Sequence, residues 1–160
     1  MEKTLVDQKA FNWNVWMLAI RPRTLPAAAA GVVMGAALSW HDGYFRLDAV
    51  LVCLVTALLL QIGSNLANDV FDFERGTDTA ERLGPTRVTQ AGMLTPKQVK
   101  MGMAVVFGLA AVLGLYLAWL GGWIILIVGI AAIISAIIYT GGPFPIGYHG
   151  LGDIFVFIFF

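Results

Sequence analysis

The chain has 160 residues, 59% of them hydrophobic and only 12% charged, and its ten basic and ten acidic side chains cancel. The length alone would suit one soluble domain, but so apolar a balance does not describe a soluble protein, and nothing in it suggests nucleic acid as a partner. The bilayer is the expected solvent, and where the few charges sit says more than their sum.

After a polar, mixed-charge start, FNWNVWMLAI is a short apolar segment followed by Arg21 and Arg23. Acids as well as lysines precede it and no A-x-A site closes it, so it is not a cleavable signal peptide. Residues 11–22 are expected to form a helix lying in the membrane interface. RPRTLP then leads into a first spanning helix, 24–41, in which Gly31 and Gly35 form a GxxxG that would let another helix approach closely.

A second span is expected over 47–70, since about 20 apolar residues cross a bilayer. Its lone Cys53 is read as a small buried hydrophobe. At about 3.6 residues per turn, Gln61, Ser64, Asn65, Asn68, Asp69 and Asp72 share an arc of roughly 140° at the far end of this helix. A carboxylate near a hydrocarbon core costs on the order of 3 kcal/mol, so such residues usually face a cavity and mark an ion or substrate site. The competing explanation is that they cap the helix or meet water and headgroups. Asn68 and Asp72 stand i, i+4 and can reach one ion. Gly76 lets the backbone leave the helix and could return Asp78 towards them. The pattern is no EF-hand, because no glycine stands sixth in a D-x-D-x-D loop and no glutamate closes one.

Residues 73 to 96 make a connection longer than compact packing requires, and loops of that size tend to be functional. Spans over 98–119 and 122–140 follow, joined by a tight Gly121-Gly122 turn, and then a glycine- and proline-rich loop, GGPFPIGYHGLGD. Residues 151–160 begin a fifth span that stops about halfway across a ~30 Å core, so the chain is expected to be the N-terminal part of a longer protein. Basic residues gather on the N-terminal side (Lys3, Lys9, Arg21, Arg23) and in the second loop (Arg75, Arg82, Arg87, Lys97, Lys100). Both are therefore expected on the cytoplasmic side of a prokaryotic inner or plasma membrane. Trp40, Trp119 and Trp123 would form an aromatic belt at the opposite interface. The fold class expected is all-α: a polytopic transmembrane helix bundle of four complete spans and the start of a fifth.

NDVFDFERGTD resembles the first acidic motif of the UbiA superfamily of intramembrane aromatic prenyltransferases, in the NxxxDxxxGxD form of its quinone branch. RPRTLPAA, NLANDVFDFERGTDTAERLGPTRVTQAG and YTGGPFPIGYHGLGD, in that order, are similar to blocks of the menaquinone and phylloquinone enzymes of that branch, and the likeness covers nearly the whole chain. The resemblance implies a piece of a nine-helix bundle around a central cavity. It also implies two acidic motifs that hold Mg²⁺ against a prenyl diphosphate. By resemblance Asn68, Asp72 and Asp78 are catalytic as metal ligands, with Asp69 beside them. Other members of the superfamily carry an aspartate where this chain has Gly76, and the third ligand passes to Asp78. The second motif belongs to a later cytoplasmic loop, and Asp153 is not part of it.

The resemblance further implies transfer of a polyprenyl or phytyl group from its diphosphate to 1,4-dihydroxy-2-naphthoate. The carboxylate is lost in that reaction, which gives demethylmenaquinone or the phylloquinone precursor. Arg87, Arg82 and Lys97 are the candidate diphosphate ligands, against a role holding the loop at anionic headgroups. Asn65, Asp69, Tyr139, Tyr148 and Asp153 are candidate pocket residues. Tyr139, Tyr148 or Phe71 could offer a cation–π face, or simply pack. The partners expected are the prenyl diphosphate, the aromatic acceptor and the lipid bilayer, with no protein partner. The 160 residues alone are expected to be inactive. The alternatives are an enzyme of the same superfamily with another acceptor and a non-catalytic membrane protein. A transporter is disfavoured because the acids cluster at one membrane face.

Overall fold

The computed structural model describes residues 12–77, 84–148 and 150–159. Asp78 and Arg82 lie outside the described residues. All the regular elements among the described residues are helical: α1 (Trp13–Ile20), α2 (Leu25–His41), α3 (Leu47–Arg75), α4 (Pro96–Gly121), α5 (Trp123–Ile138) and α6 (Gly152–Phe159). Short 3₁₀ turns lie at Pro22–Thr24 and Ile146–Tyr148.

Helix boundaries follow local chemistry. Asn12 caps α1 by accepting the Asn14 amide at 3.0 Å. Thr95 and Gln98 form a reciprocal capping box that starts α4 at Pro96, a residue whose missing N–H costs nothing in the first turn. The α3 helix runs five residues beyond position 70, because its first stop signal is Gly76. That residue adopts φ +69° and closes a Schellman end, with its amide on the Phe73 carbonyl and the Thr77 amide on the Asp72 carbonyl.

At about 1.5 Å per residue the 29 residues of α3 reach about 44 Å, more than a ~30 Å hydrocarbon core needs, so its polar last turns extend into the interface. Among the described residues α3 and α4 are the two helices long and apolar enough to cross a membrane, and α5 is a shorter apolar helix. Only 11% of the apolar window of α3 and 17% of that of α4 is buried within the structure. A core helix of a soluble protein would be mostly covered. These two present their leucines, valines and isoleucines outward, as a membrane helix does.

Helix α3 is the hub, packing on α1, α2, α4 and α5, while α5 also packs on α4. The densest apolar packing lies at one end, where Ala19 of α1, Leu66 and Val70 of α3, Val88 and Leu94 of the following loop and Val99 of α4 form a buried cluster. Trp16 and Phe71 pack against it. Two glycines permit close approach: a Cβ on Gly63 would stand 2.4 Å from the Phe107 ring, and one on Gly102 would stand 2.7 Å from Trp16. Gly31 and Gly35 behave differently from the GxxxG expectation. A Cβ on either would meet nothing within 4 Å among the described residues, and both border open space.

At the opposite end Arg46 precedes α3 and pairs with Asp48 at 2.6 Å, and Tyr116 of α4 donates to the same carboxylate at 2.9 Å. The hydrogen bond to Asp48, then its charge, hold the Arg46 guanidinium above the ordinary arginine range. Trp40, Trp119 and Trp123 are exposed at this end, at the C-termini of α2 and α4 and the start of α5.

Candidate active site

Three chain segments far apart in sequence meet on the last four turns of α3. The polar arc divides there into two flanks. Gln61, Ser64, Asn65 and Asn68 line a cavity of about 430 Å³ between α2, α3 and α5, walled otherwise by small and apolar residues such as Ala27, Gly31, Ala57 and Ala132, with Ser135 and Tyr139 on the α5 side. Asp69 and Asp72 turn instead towards the loop that follows α3.

Both carboxylate oxygens of Asp72 are engaged. Its Oδ2 accepts from Arg87 Nη2 at 2.5 Å, and its Oδ1 accepts from the Tyr148 hydroxyl at 2.5 Å. The Asp72 and Arg87 side chains are 9% and 7% exposed, so the ion pair is largely removed from solvent. In such a setting each charge depends on the other, since a lone buried ion is costly. The Tyr148 hydroxyl also lies 2.8 Å from Thr77 Oγ1, which donates in turn to the Asp72 carbonyl. Tyr148 is thereby held across the end of α3.

Asn68, one turn earlier, accepts from the Thr140 hydroxyl at 2.9 Å while facing the cavity. Arg75 fixes the segment that carries Thr140: its Nε donates to the Thr140 carbonyl at 2.9 Å and its Nη2 to the Gly142 carbonyl. Here an arginine supplies the donors that carbonyls beyond the end of α5 lack. Asn65 plays the same part for α1, its amide donating to the Ile20 carbonyl at 2.8 Å and to Thr24 Oγ1 at 2.9 Å. Asp69 is fully buried and accepts the Val88 and Thr89 amides, both at 3.0 Å, with Arg21 Nη2 4.0 Å away.

Of the other residues singled out by sequence, Tyr139 lines the cavity. Lys97 and Asp153 are exposed and make no hydrogen bond or ion pair to a described residue. Lys100 pairs with Glu74 at 2.7 Å and sits 5.8 Å from the Phe71 ring centre, which gives that ring a lysine for company. Sequence reasoning gave Thr140 and Thr77 no role in the site, and counted Arg75 and Arg21 only as charges that set membrane orientation. RPRTLP drew attention to Arg21, but its proximity to Asp69 spans 48 positions and has no local signature.

The donor set suits a hard cation. The Asn68 amide oxygen and the Asp72 carboxylate stand one turn apart on a single helix, and Mg²⁺ takes oxygen ligands with only one or two carboxylates. Among the described residues no group of three acids, histidines or cysteines converges.

The model of the UbiA prenyltransferase family matches residues 25–160. The chain is 40% identical to the 1,4-dihydroxy-2-naphthoate octaprenyltransferase of Escherichia coli over 98% of its own length and 53% of that protein. It is 42% identical to the protein of the same name from Mycobacterium tuberculosis, over 91% of this chain and 49% of that one. Its identity to the 2-carboxy-1,4-naphthoquinone phytyltransferase of Synechocystis is 30%, over 92% and 47%. The chain thus spans about half the length of the curated relatives it matches. No solved structure matches it significantly.

Proposed function

The chain belongs to the UbiA prenyltransferase family, and on that premise we propose that it carries the diphosphate-binding half of an enzyme that prenylates 1,4-dihydroxy-2-naphthoate. The bond between an allylic carbon and its diphosphate oxygen breaks, a carbon–carbon bond forms at the ring position bearing the carboxylate, and carbon dioxide leaves. Diphosphate leaves with the carbon dioxide, and the product is the hydroquinone form of demethylmenaquinone or of the phylloquinone precursor. One observation carries the proposal: Asn68, which lines a cavity with largely apolar walls, stands one helical turn before the buried Asp72–Arg87 pair on the same helix. An anionic headgroup beside a hydrocarbon chain needs that combination of surfaces.

Asn68 and Asp72, with Asp78, would hold Mg²⁺. When bound, the ion neutralises charge developing on the departing diphosphate oxygen. Arg87 is the first diphosphate ligand among the chain's own cations, because its planar fork suits phosphate oxygens and it already lies beside the acidic motif. Arg82 and Lys97 are assigned the outer part of the headgroup. The cavity between α2, α3 and α5 receives the isoprenoid, where Gly31 and the small methyl groups of the alanines leave width for it. Tyr139 and Tyr148, and Phe71 as a third ring, offer faces to positive charge at the allylic carbon. Asn65 and Asp153 complete the assigned pocket.

In the membrane, residues 11–22 lie in the interface, 24–41, 47–70, 98–119 and 122–140 cross it, and 151–160 begin another crossing of a nine-helix bundle. The N-terminus and the acidic loop are cytoplasmic, at the plasma membrane of a prokaryote. The second acidic motif belongs to later residues, so the 160 residues alone are expected to give no turnover. Membranes carrying the full-length protein, incubated with 1,4-dihydroxy-2-naphthoate, a prenyl diphosphate and Mg²⁺, should release carbon dioxide and form prenylated naphthohydroquinone in equal amounts. Prenylation of a different aromatic acid with naphthoate left untouched would move the enzyme elsewhere in the family. No product with any aromatic acceptor would end the enzyme proposal.

A further inference from the structure

Asp69 sits between Asn68 and the Asp72 turn, yet its surroundings differ from those of both. It is fully buried and does not line the cavity that Asn65 and Asn68 face. Its two oxygens are each taken by a backbone amide, Oδ2 by Val88 and Oδ1 by Thr89. These are consecutive residues, and they directly follow Arg87. The segment they open is tied to itself: the Arg87 carbonyl accepts the Ala91 amide at 2.9 Å, the Val88 carbonyl accepts the Met93 amide at 2.9 Å, and the Thr89 carbonyl accepts the Gly92 amide at 3.0 Å. The Val88 side chain is fully buried in the cluster with Leu66 and Val70. Residues 87–94 therefore form a hydrogen-bonded unit hung on one carboxylate, and Arg21 places positive charge 4.0 Å from it.

We propose that Asp69 is a positioning residue: its carboxylate fixes the Val88–Thr89 backbone so that Arg87 is held against Asp72, and it serves neither the metal nor the diphosphate as a ligand. This departs from the pocket role assigned to it above and rests on the proposed diphosphate role of Arg87. Fully buried and outside the lining of the cavity that Asn68 faces, the carboxylate would not meet an ion held there without leaving the two amides that fix it. An aspartate suits the task because two acceptor oxygens meet two parallel donors. Asparagine, of the same shape, would turn an N–H₂ towards one of them.

The test uses the full-length protein in detergent, with amide hydrogen exchange at Val88 and Thr89, Mn²⁺ as the metal probe and pyrophosphate as the headgroup probe. In the unaltered protein both amides should stay protected when Mn²⁺ and pyrophosphate are added. In Asp69→Asn their exchange should quicken about tenfold and the KM for prenyl diphosphate should rise by a similar factor, while Mn²⁺ affinity stays within about threefold. Deprotection of the two amides on Mn²⁺ binding in the unaltered protein would overturn the proposal. So would a hundredfold loss of Mn²⁺ affinity in Asp69→Asn. The unaltered protein decides the matter even if the variant fails to fold. Failure of the enzyme proposal looks different: the unaltered protein would bind neither Mn²⁺ nor pyrophosphate and form no product, with the two amides responding to Asp69→Asn all the same.

Discussion

Replacing Arg87 by Met and Asp72 by Leu, singly and together, measures what the buried pair contributes. The two groups meet at 2.5 Å with less than a tenth of either side chain exposed. Removal of one partner from a buried pair typically costs about 3–5 kcal/mol, because the other charge is left without compensation, whereas replacing both by apolar groups is often neutral. Arg87→Met should fall near the lower end, about 3 kcal/mol, since Asp72 keeps the Tyr148 hydroxyl. Asp72→Leu should cost at least as much: it removes the acceptor of both the Arg87 guanidinium and the Tyr148 hydroxyl. The double variant should be less destabilised than the sum of the two by about 2–3 kcal/mol. Denaturant unfolding of the full-length protein in detergent micelles, without divalent metal, gives the three values. Added Mg²⁺ should recover part of the loss in Arg87→Met, where Asp72 remains, and none in Asp72→Leu. Additive single effects, with a coupling below about 0.5 kcal/mol, would refute the pair as a structural unit.

Gly63→Ala should destabilise by about 1–3 kcal/mol through overpacking against the Phe107 ring, and Phe107→Leu in the same protein should recover most of it. Asn65→Leu leaves the Ile20 carbonyl without its side-chain donor and should cost about 1–3 kcal/mol in the same unfolding measurement while Mn²⁺ affinity is unchanged.

Periodicity made the polar arc legible: a 3.6-residue repeat puts Gln61 to Asp72 on one side whatever the rest of the chain does. It could not say what each residue meets. Asn65, Asn68, Asp69 and Asp72 differ by single turns of α3, yet they meet the end of α1, Thr140, two loop amides and Arg87 respectively. Three of those four partners include backbone groups or a hydroxyl, which every sequence contains and none advertises. The end of α3 was readable in Gly76, whose left-handed geometry is cheap only for glycine, and the start of α4 in the Thr95–Gln98 box. Gly31 and Gly35 show the reverse difficulty. The same spacing serves close packing or an open groove, and only the position of neighbouring helices distinguishes them.

The polar end of α3 is proposed to grip a metal-bound diphosphate through Asn68 and Asp72. The most direct test of that grip is the Mg²⁺-dependent affinity of the full-length protein for a prenyl thiodiphosphate, a poorly reactive substrate mimic, before and after Asp72→Asn. The account predicts binding that needs Mg²⁺ and weakens by about a hundredfold, close to 2.7 kcal/mol, in the variant. Equal affinity in both proteins, or binding indifferent to Mg²⁺, would contradict it.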